Sequence, residues 1–187
     1  MTQERHFNSW PKHLPRHLTP PATTLGFNLE VSAARYPHKA ALIFYDSKLS
    51  YVRLKLEVDA LAGYLQQECG IRKGDRVLLD MQNCPQFAIA YYAILRADAV
   101  VVPLSPMNVA DELVHYLSDS GASVALIGQE VYKHSREQVG QTLRHVIVAS
   151  YADYLPGDSD ITVPVFVTEK TQNATQSGVV TWIDALA

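Results

Sequence analysis

Short apolar runs separated by breakers set the pattern of this chain. Val77-Leu78-Leu79-Asp80-Met81 has strand length. Ala99-Val100-Val101-Val102-Pro103-Leu104 is β-branched and continuous, the pattern of a strand buried on both faces. Between them Gln82-Asn83-Cys84-Pro85 breaks the first run, and Pro85 suits the first turn of a helix, where its missing N–H would lack a partner anyway. Phe87 to Ala97 is apolar on nearly every face, which predicts a helix covered on most sides. Two strands joined by a helix form a right-handed crossover with parallel pairing.

The flanking segments extend this unit. Thr23 or Thr24 can cap a helix through Leu25, Leu29, Ser32, Ala33 and Tyr36, ended by Pro37. Ala41 to Tyr45 reads as a strand, Asp46-Ser47-Lys48 as a turn, and Leu49-Ser50-Tyr51 as the returning arm of a hairpin. Ser50 also caps a helix whose apolar face is Leu54, Val58, Leu61, Ala62 and Leu65, and Gly70 suits a left-handed residue after its end. Beyond Pro106, Asn108 and Asp111 resemble an N-cap and its partner for a helix that buries Leu113, Tyr116 and Leu117 and ends at Gly121. Val124–Ile127 is a strand, Val131–Leu143 a more polar helix and Val146–Val148 a further strand. The alternation predicts an α/β fold, a mainly parallel sheet with helices on both faces.

The two ends are less regular. Residues 1–22, with Trp10 and four prolines, read as an extended arm or as a disordered leader. Ile161–Val167 is strand-like, and Pro164 marks it as an edge. Glu169–Gly178 is polar and reads as a loop. Val179–Leu186 regains an apolar pattern that stops at Ala187, so Trp182 and Ile183 need something to pack on, and the end reads as a cut. The expected organisation is an arm (1–22), an α/β subdomain (23–168), and a linker with the start of a continuation (169–187).

Composition narrows the function classes. The 187 residues are 48% hydrophobic and 19% charged, with net charge −3, which is ordinary globular composition. No basic stripe points to nucleic acid. No apolar run approaches the ~18 residues of a membrane span, and no secretory signal opens the chain. Cys69 and Cys84 lack metal-type spacing and read as reduced thiols in a cytoplasmic protein. The sequon Asn173-Ala174-Thr175 is then coincidence.

Candidate chemistry is sparse. No Gly-rich dinucleotide or Walker-type loop and no Gly-x-Ser-x-Gly elbow is present. His13 and His17 are four apart but lie in the Pro-rich arm, a poor frame for metal binding. Cys84 at a helix start is either a thiol of lowered pKa or a small residue filling a turn. Asp98 stands where left-handed backbone is needed, Glu112 and Asp119 read as solvated, and Tyr91 and Tyr92 as core or interface. No catalytic, cofactor-binding or metal-binding residue can be assigned. Open parallel sheets bind ligands beyond the strand C-termini, here Met81–Pro85, Pro103–Asn108 and Ile127–Gln129.

A resemblance adds to this. Leu49-Ser50-Tyr51-Val52-Arg53-Leu54 resembles the first core motif of the adenylate-forming (AMP-binding) enzymes, and Leu95 to Pro106 resembles the second. Ala34 to Leu42 and Gly74-Asp75-Arg76-Val77 fall in the matching order. Met81 to Phe87 and the opening Trp10-Pro11 to Pro15 look most like the bacterial medium- and long-chain fatty acyl-CoA ligase branch. The likeness covers roughly residues 25–150 well. Arg53 stands where the first motif usually has Glu, so it cannot complete a capping box, and Asp98 stands where the second usually has Gly. The resemblance implies the N-terminal subdomain of an acyl-CoA synthetase-like fold. It implies a parent that joins ATP and a fatty acid into acyl-AMP and then acyl-CoA, using ATP, Mg2+ and coenzyme A. The ATP loop and catalytic Lys of the family are expected beyond Ala187, leaving this piece inactive and without a bound cofactor. A homodimer stays open, and a stand-alone binding or assembly module of the same ancestry is the alternative. Such a module would need a partner over its C-terminal apolar patch.

Overall fold

In a computed structural model, which describes residues 5–158, 160–170 and 177–187, the chain builds one parallel sheet with helices on both faces. The entry to it is a helix and a hairpin. Helix α1 (Leu25–Arg35) starts at Thr24, whose hydroxyl accepts from the Phe27 N–H at 3.2 Å. Strands β1 (Ala40–Phe44) and β2 (Ser47–Ser50) form an antiparallel pair. Their turn is tighter than the sequence suggests. Only Tyr45 and Asp46 lie between the strands, both at positive φ (45° and 69°), the handedness that matches strand twist in a two-residue hairpin.

Helix α2 (Tyr51–Gln67) is capped by Ser50 and buries Leu54, Val58, Leu61, Ala62 and Leu65, the face read from its spacing. Gly70 takes φ 67° after its end, and the Ile71 N–H returns to the Leu65 carbonyl at 2.9 Å. The main sheet then assembles from β3 (Arg76–Asp80), β4 (Val100–Pro103), β5 (Val124–Gly128), β6 (His145–Ala149) and β7 (Val179–Thr181). Their order is β4-β3-β5-β6-β7, parallel throughout. Helices α3 (Pro85–Arg96), α4 (Ala110–Ser120) and α5 (Gln129–Thr142) make the crossovers.

Side-chain alternation along the strands separates two cores. Val77, Leu79, Val124, Leu126, Ile147 and Ala149 join α2 and α3 on one face. Leu78, Ala125, Ile127, Val146 and Val148 join α4 and α5 on the other. Period two therefore decides which helix each strand residue meets.

Three expectations are corrected. Strand β4 is not buried on both faces: it is the sheet edge, Val100 is 47% exposed, and the β-branched run fits an edge as well as a centre. Helix α4 is capped one residue later than Asn108. Val109 has no side-chain acceptor, and Glu112, read as merely solvated, accepts from the Val109 N–H at 3.1 Å. The segment Ile161–Val167 makes no strand. Pro164 precedes a single helical turn, α6 (Val165–Thr168), and the Gln129 side-chain amide donates to the Phe166 and Glu169 carbonyls at 3.0 and 2.7 Å. Trp182, read with Ile183 as needing something to pack on, opens helix α7 (Trp182–Leu186) and packs fully buried in the first core, whereas Ile183 is exposed. The sequon and most of the polar stretch after Glu169 lie outside the described residues.

Candidate functional site

The sheet order creates a crevice. Strands β3 and β5 are neighbours, but the helix after β3 packs on one face and the helix after β5 on the other. Their outgoing connections diverge and leave a gap beyond the strand ends, where open α/β sheets hold ligands. A cavity of ≈ 410 Å³ lies there, lined by Asp80, Pro106, Asn108, Val109, Leu113, Glu130, Val131, His134 and Ser135. Of the three strand-end stretches expected to form cleft walls, the one after β4 supplies Pro106 and Asn108, while Met81–Pro85 and Ile127–Gln129 supply no lining residue and the adjoining Asp80 and Glu130 do.

The floor of the crevice is acidic. Asp80 is the last residue of β3 and is 2% exposed. Its Oδ1 has no hydrogen-bond partner. Burial, with the nearby Glu130 charge adding to it, pushes the Asp80 carboxyl up to about 7. Glu130 lies in the first turn of α5, where a carboxylate complements the helix dipole. Its Oε1 accepts from the Tyr151 hydroxyl at 2.8 Å, and its Oε2 is unpartnered. The Tyr151 hydroxyl in turn accepts from the Gln82 N–H at 2.9 Å, tying the turn after β3 to the segment after β6. Burial chiefly, and the Glu130 neighbour secondarily, raise the Tyr151 phenol far above its usual range. His134 donates from Nδ1 to the Glu130 carbonyl at 2.7 Å.

Asp80 therefore links pH to stability. Its folded pKa lies above that of an unfolded carboxyl. Its contribution is full below the ordinary carboxylate range and is lost as pH rises toward about 7. Asp80→Asn is expected to gain melting temperature relative to the native chain steadily between about pH 4 and pH 7, with no further change above that window. Parallel thermal melts of the two proteins check this, and a constant offset across the window contradicts it.

Other residues singled out in the sequence settle into structural roles. Cys84 caps α3, with Sγ accepting from the Phe87 N–H at 3.4 Å, and burial pushes its thiol up to about 12, the reverse of an activated nucleophile. Cys69 and Cys84 are both unpaired thiols. Asp98 takes φ 58°, the left-handed turn expected of it. Tyr91 and Tyr92 are half-buried and pack against the first core. Arg53 forms an ion pair with Glu57 at 2.7 Å and lies over the Tyr154 ring at 5.6 Å, a use for its charge that a capping-box comparison misses. His17 stacks edge-on near Phe7 in the arm. Among the described residues no group of three or more His, Cys, Asp or Glu could hold a metal ion.

Sequence reasoning missed Asp80, Glu130, Tyr151 and the buried Gln86, whose side-chain amide donates to the Ser150 carbonyl at 2.7 Å. One signal was available: Asp80 is the lone charge inside an otherwise apolar strand run.

A sequence profile of the family described as AMP-binding enzyme matches residues 29–177. The chain belongs to this family. Curated AMP-binding relatives include the long-chain-fatty-acid–CoA ligase of Bacillus subtilis (strain 168), 33% identical over 170 residues, which are 90% of this chain and 30% of that enzyme. The long-chain-fatty-acid–CoA ligase of Escherichia coli O6:H1 is 36% identical over 79% of this chain and 27% of that enzyme. The chain thus spans about 30% of the length of these relatives and corresponds to their N-terminal part. Among solved structures, coronafacic acid ligase from Pectobacterium brasiliense superposes with TM-score 0.71 at 19% identity, over 88% of this chain and 29% of that one. A long-chain-fatty-acid-CoA ligase from Archaeoglobus fulgidus does so with TM-score 0.64 at 25% identity, over 70% and 28%. The fold is that of the N-terminal subdomain of the adenylate-forming ligases.

The crevice of this chain is poorly suited to phosphates. Its buried floor offers carboxylates rather than donors. The first turns of α4 and α5 already carry Asp111, Glu112 and Glu130 against the positive helix ends. These groups do not fit the phosphates of ATP, and among the described residues no group of three or more His, Cys, Asp or Glu could hold its metal ion.

Proposed function

We propose that this chain is the N-terminal α/β subdomain of a fatty acyl-CoA ligase, a protein that activates a fatty acid with ATP as acyl-AMP and transfers the acyl group to coenzyme A. The observation that carries this reading is the match to the Bacillus subtilis ligase, at 33% identity over 90% of this chain but 30% of the enzyme. Adenylation turns a carboxylate oxygen into part of a good leaving group, and clamping of the phosphates supplies much of the rate. The clamping groups belong to segments outside this sequence, so the isolated chain is inactive. Its role is to present the sheet and its crevice to the remainder of the ligase. The arm (1–22), the subdomain (23–168) and the connecting segment (169–187) are the divisions we propose for it. ATP, Mg2+ and coenzyme A then act in the whole enzyme, which we place in the cytoplasm, in keeping with the unpaired thiols of Cys69 and Cys84. No helix of the described residues is long and apolar enough to cross a membrane.

A second reading is a non-catalytic module of the same ancestry. In either reading Trp182 packs within the chain's own core. ATP–pyrophosphate exchange with medium- and long-chain fatty acids tests the inactivity common to both. The isolated chain is expected to give no exchange above a no-protein control, and clear turnover overturns both readings.

A further inference from the structure

Two carboxylate residues in the wall of the crevice beyond β3 and β5 each carry an unpartnered, buried oxygen. Asp80 Oδ1 and Glu130 Oε2 are shielded from solvent without a hydrogen bond, and both residues line the ≈ 410 Å³ space. A buried carboxylate without a donor is costly, and a cation or a set of N–H groups is what relieves it. The other polar lining groups are largely engaged: His134 Nδ1 donates to the Glu130 carbonyl and the Ser135 hydroxyl to the Val131 carbonyl. Pro106, Val109, Leu113 and Val131 add apolar wall. The space is far larger than one ion, and the described residues supply no third His, Cys, Asp or Glu to complete a metal set.

We propose that this crevice binds an organic cation carrying paired N–H donors on an apolar body, an amidinium or guanidinium group, held by the Asp80 and Glu130 carboxylates. The planar fork of such a group can donate to two carboxylates at once, and its body lies against the apolar wall. The proposal does not depend on the ligase reading.

Binding is coupled to protons. Asp80 sits at about 7 because of burial and Glu130, so a cation binds best once Asp80 has lost its proton. The titratable groups around it are Glu130 and His134 from α5 and Tyr151 from the segment after β6, while the loop before α4 contributes only Pro106, Asn108 and Val109. Affinity is expected to rise as pH increases through about 7, with a proton released on binding.

The test is titration of the 187-residue chain with benzamidine, followed by calorimetry and by amide NMR shifts. Saturable binding centred on residues of the crevice is expected. Asp80→Asn and Glu130→Gln should each weaken it by about tenfold or more, and neutral benzamide should bind correspondingly worse. Should Asp80→Asn fail to fold, Glu130→Gln, at the half-exposed start of α5, decides alone. Acetyl-arginine amide is the second probe. Equal binding points to an Arg side chain as the occupant and binding of benzamidine alone to a free ligand, and either supports the site. No saturable shift in the crevice, no effect of either substitution, or equal binding of benzamide overturns it.

Discussion

Trp182→Ala is expected to cost about 3–5 kcal/mol of folding stability, the usual loss for a fully buried aromatic. The indole is 0% exposed, and its Nε1–H donates to the Tyr154 hydroxyl at 3.1 Å. That hydroxyl donates onward to Glu57 at 2.5 Å, and Glu57 also accepts from Arg53 at 2.7 Å. The relay binds α7 to α2 across 125 positions of sequence, from Trp182 to Glu57 (182 − 57). Truncation removes apolar contact and one donor together. Trp182→Phe separates the two, since it keeps most of the packing and loses about 1 kcal/mol with the hydrogen bond. Urea unfolding of the three proteins measures both effects. A loss for Trp182→Ala below about 1 kcal/mol would mean that α7 is not held by this core.

Gly128→Ala is expected to cost about 1–3 kcal/mol, although its backbone φ of −65° suits any residue. The reason is space. A Cβ at Gly128 would stand 2.2 Å from the Tyr151 hydroxyl oxygen and 2.8 Å from Glu130 Oε2. Tyr151 cannot swing away cheaply, because it is 1% exposed and its hydroxyl joins Gln82 to Glu130. Removing that hydroxyl takes away the nearest of these contacts, so Gly128→Ala combined with Tyr151→Phe should be less destabilised than the sum of the two single changes. Denaturant titrations of the four-protein cycle read this directly. Additive costs would show that Gly128 is not crowded by Tyr151.

Much of the fold was legible in the chain. Residues that sit on a local rule behaved as the rule states: Thr24 and Ser50 cap, Gly70 and Gly121 turn left-handed, and the five-residue face of α2 is the buried one. What a pattern of apolar residues does not encode is lateral position in a sheet. The Val100–Val102 run looks the same at an edge as at the centre, and only the strand order places it outside. The crevice was legible as a place and not as a chemistry. Strand ends could be read from the breakers after each run, but Asp80, Glu130 and Tyr151 lie up to 71 positions apart (151 − 80) and meet only once β3, β5 and β6 are in register. Long-range side-chain relays, such as Gln129 holding the carbonyls of Phe166 and Glu169, leave no periodic trace at all.

The most direct measurement is a chimera. The N-terminal part of the Bacillus subtilis ligase that this chain matches, 30% of that enzyme, is replaced by the chain, and acyl-CoA formation from a long-chain fatty acid, ATP and coenzyme A is measured. If the chain is the N-terminal subdomain of a fatty acyl-CoA ligase, the chimera forms acyl-CoA while the two separate pieces do not. A folded chimera that forms no acyl-CoA would contradict that role.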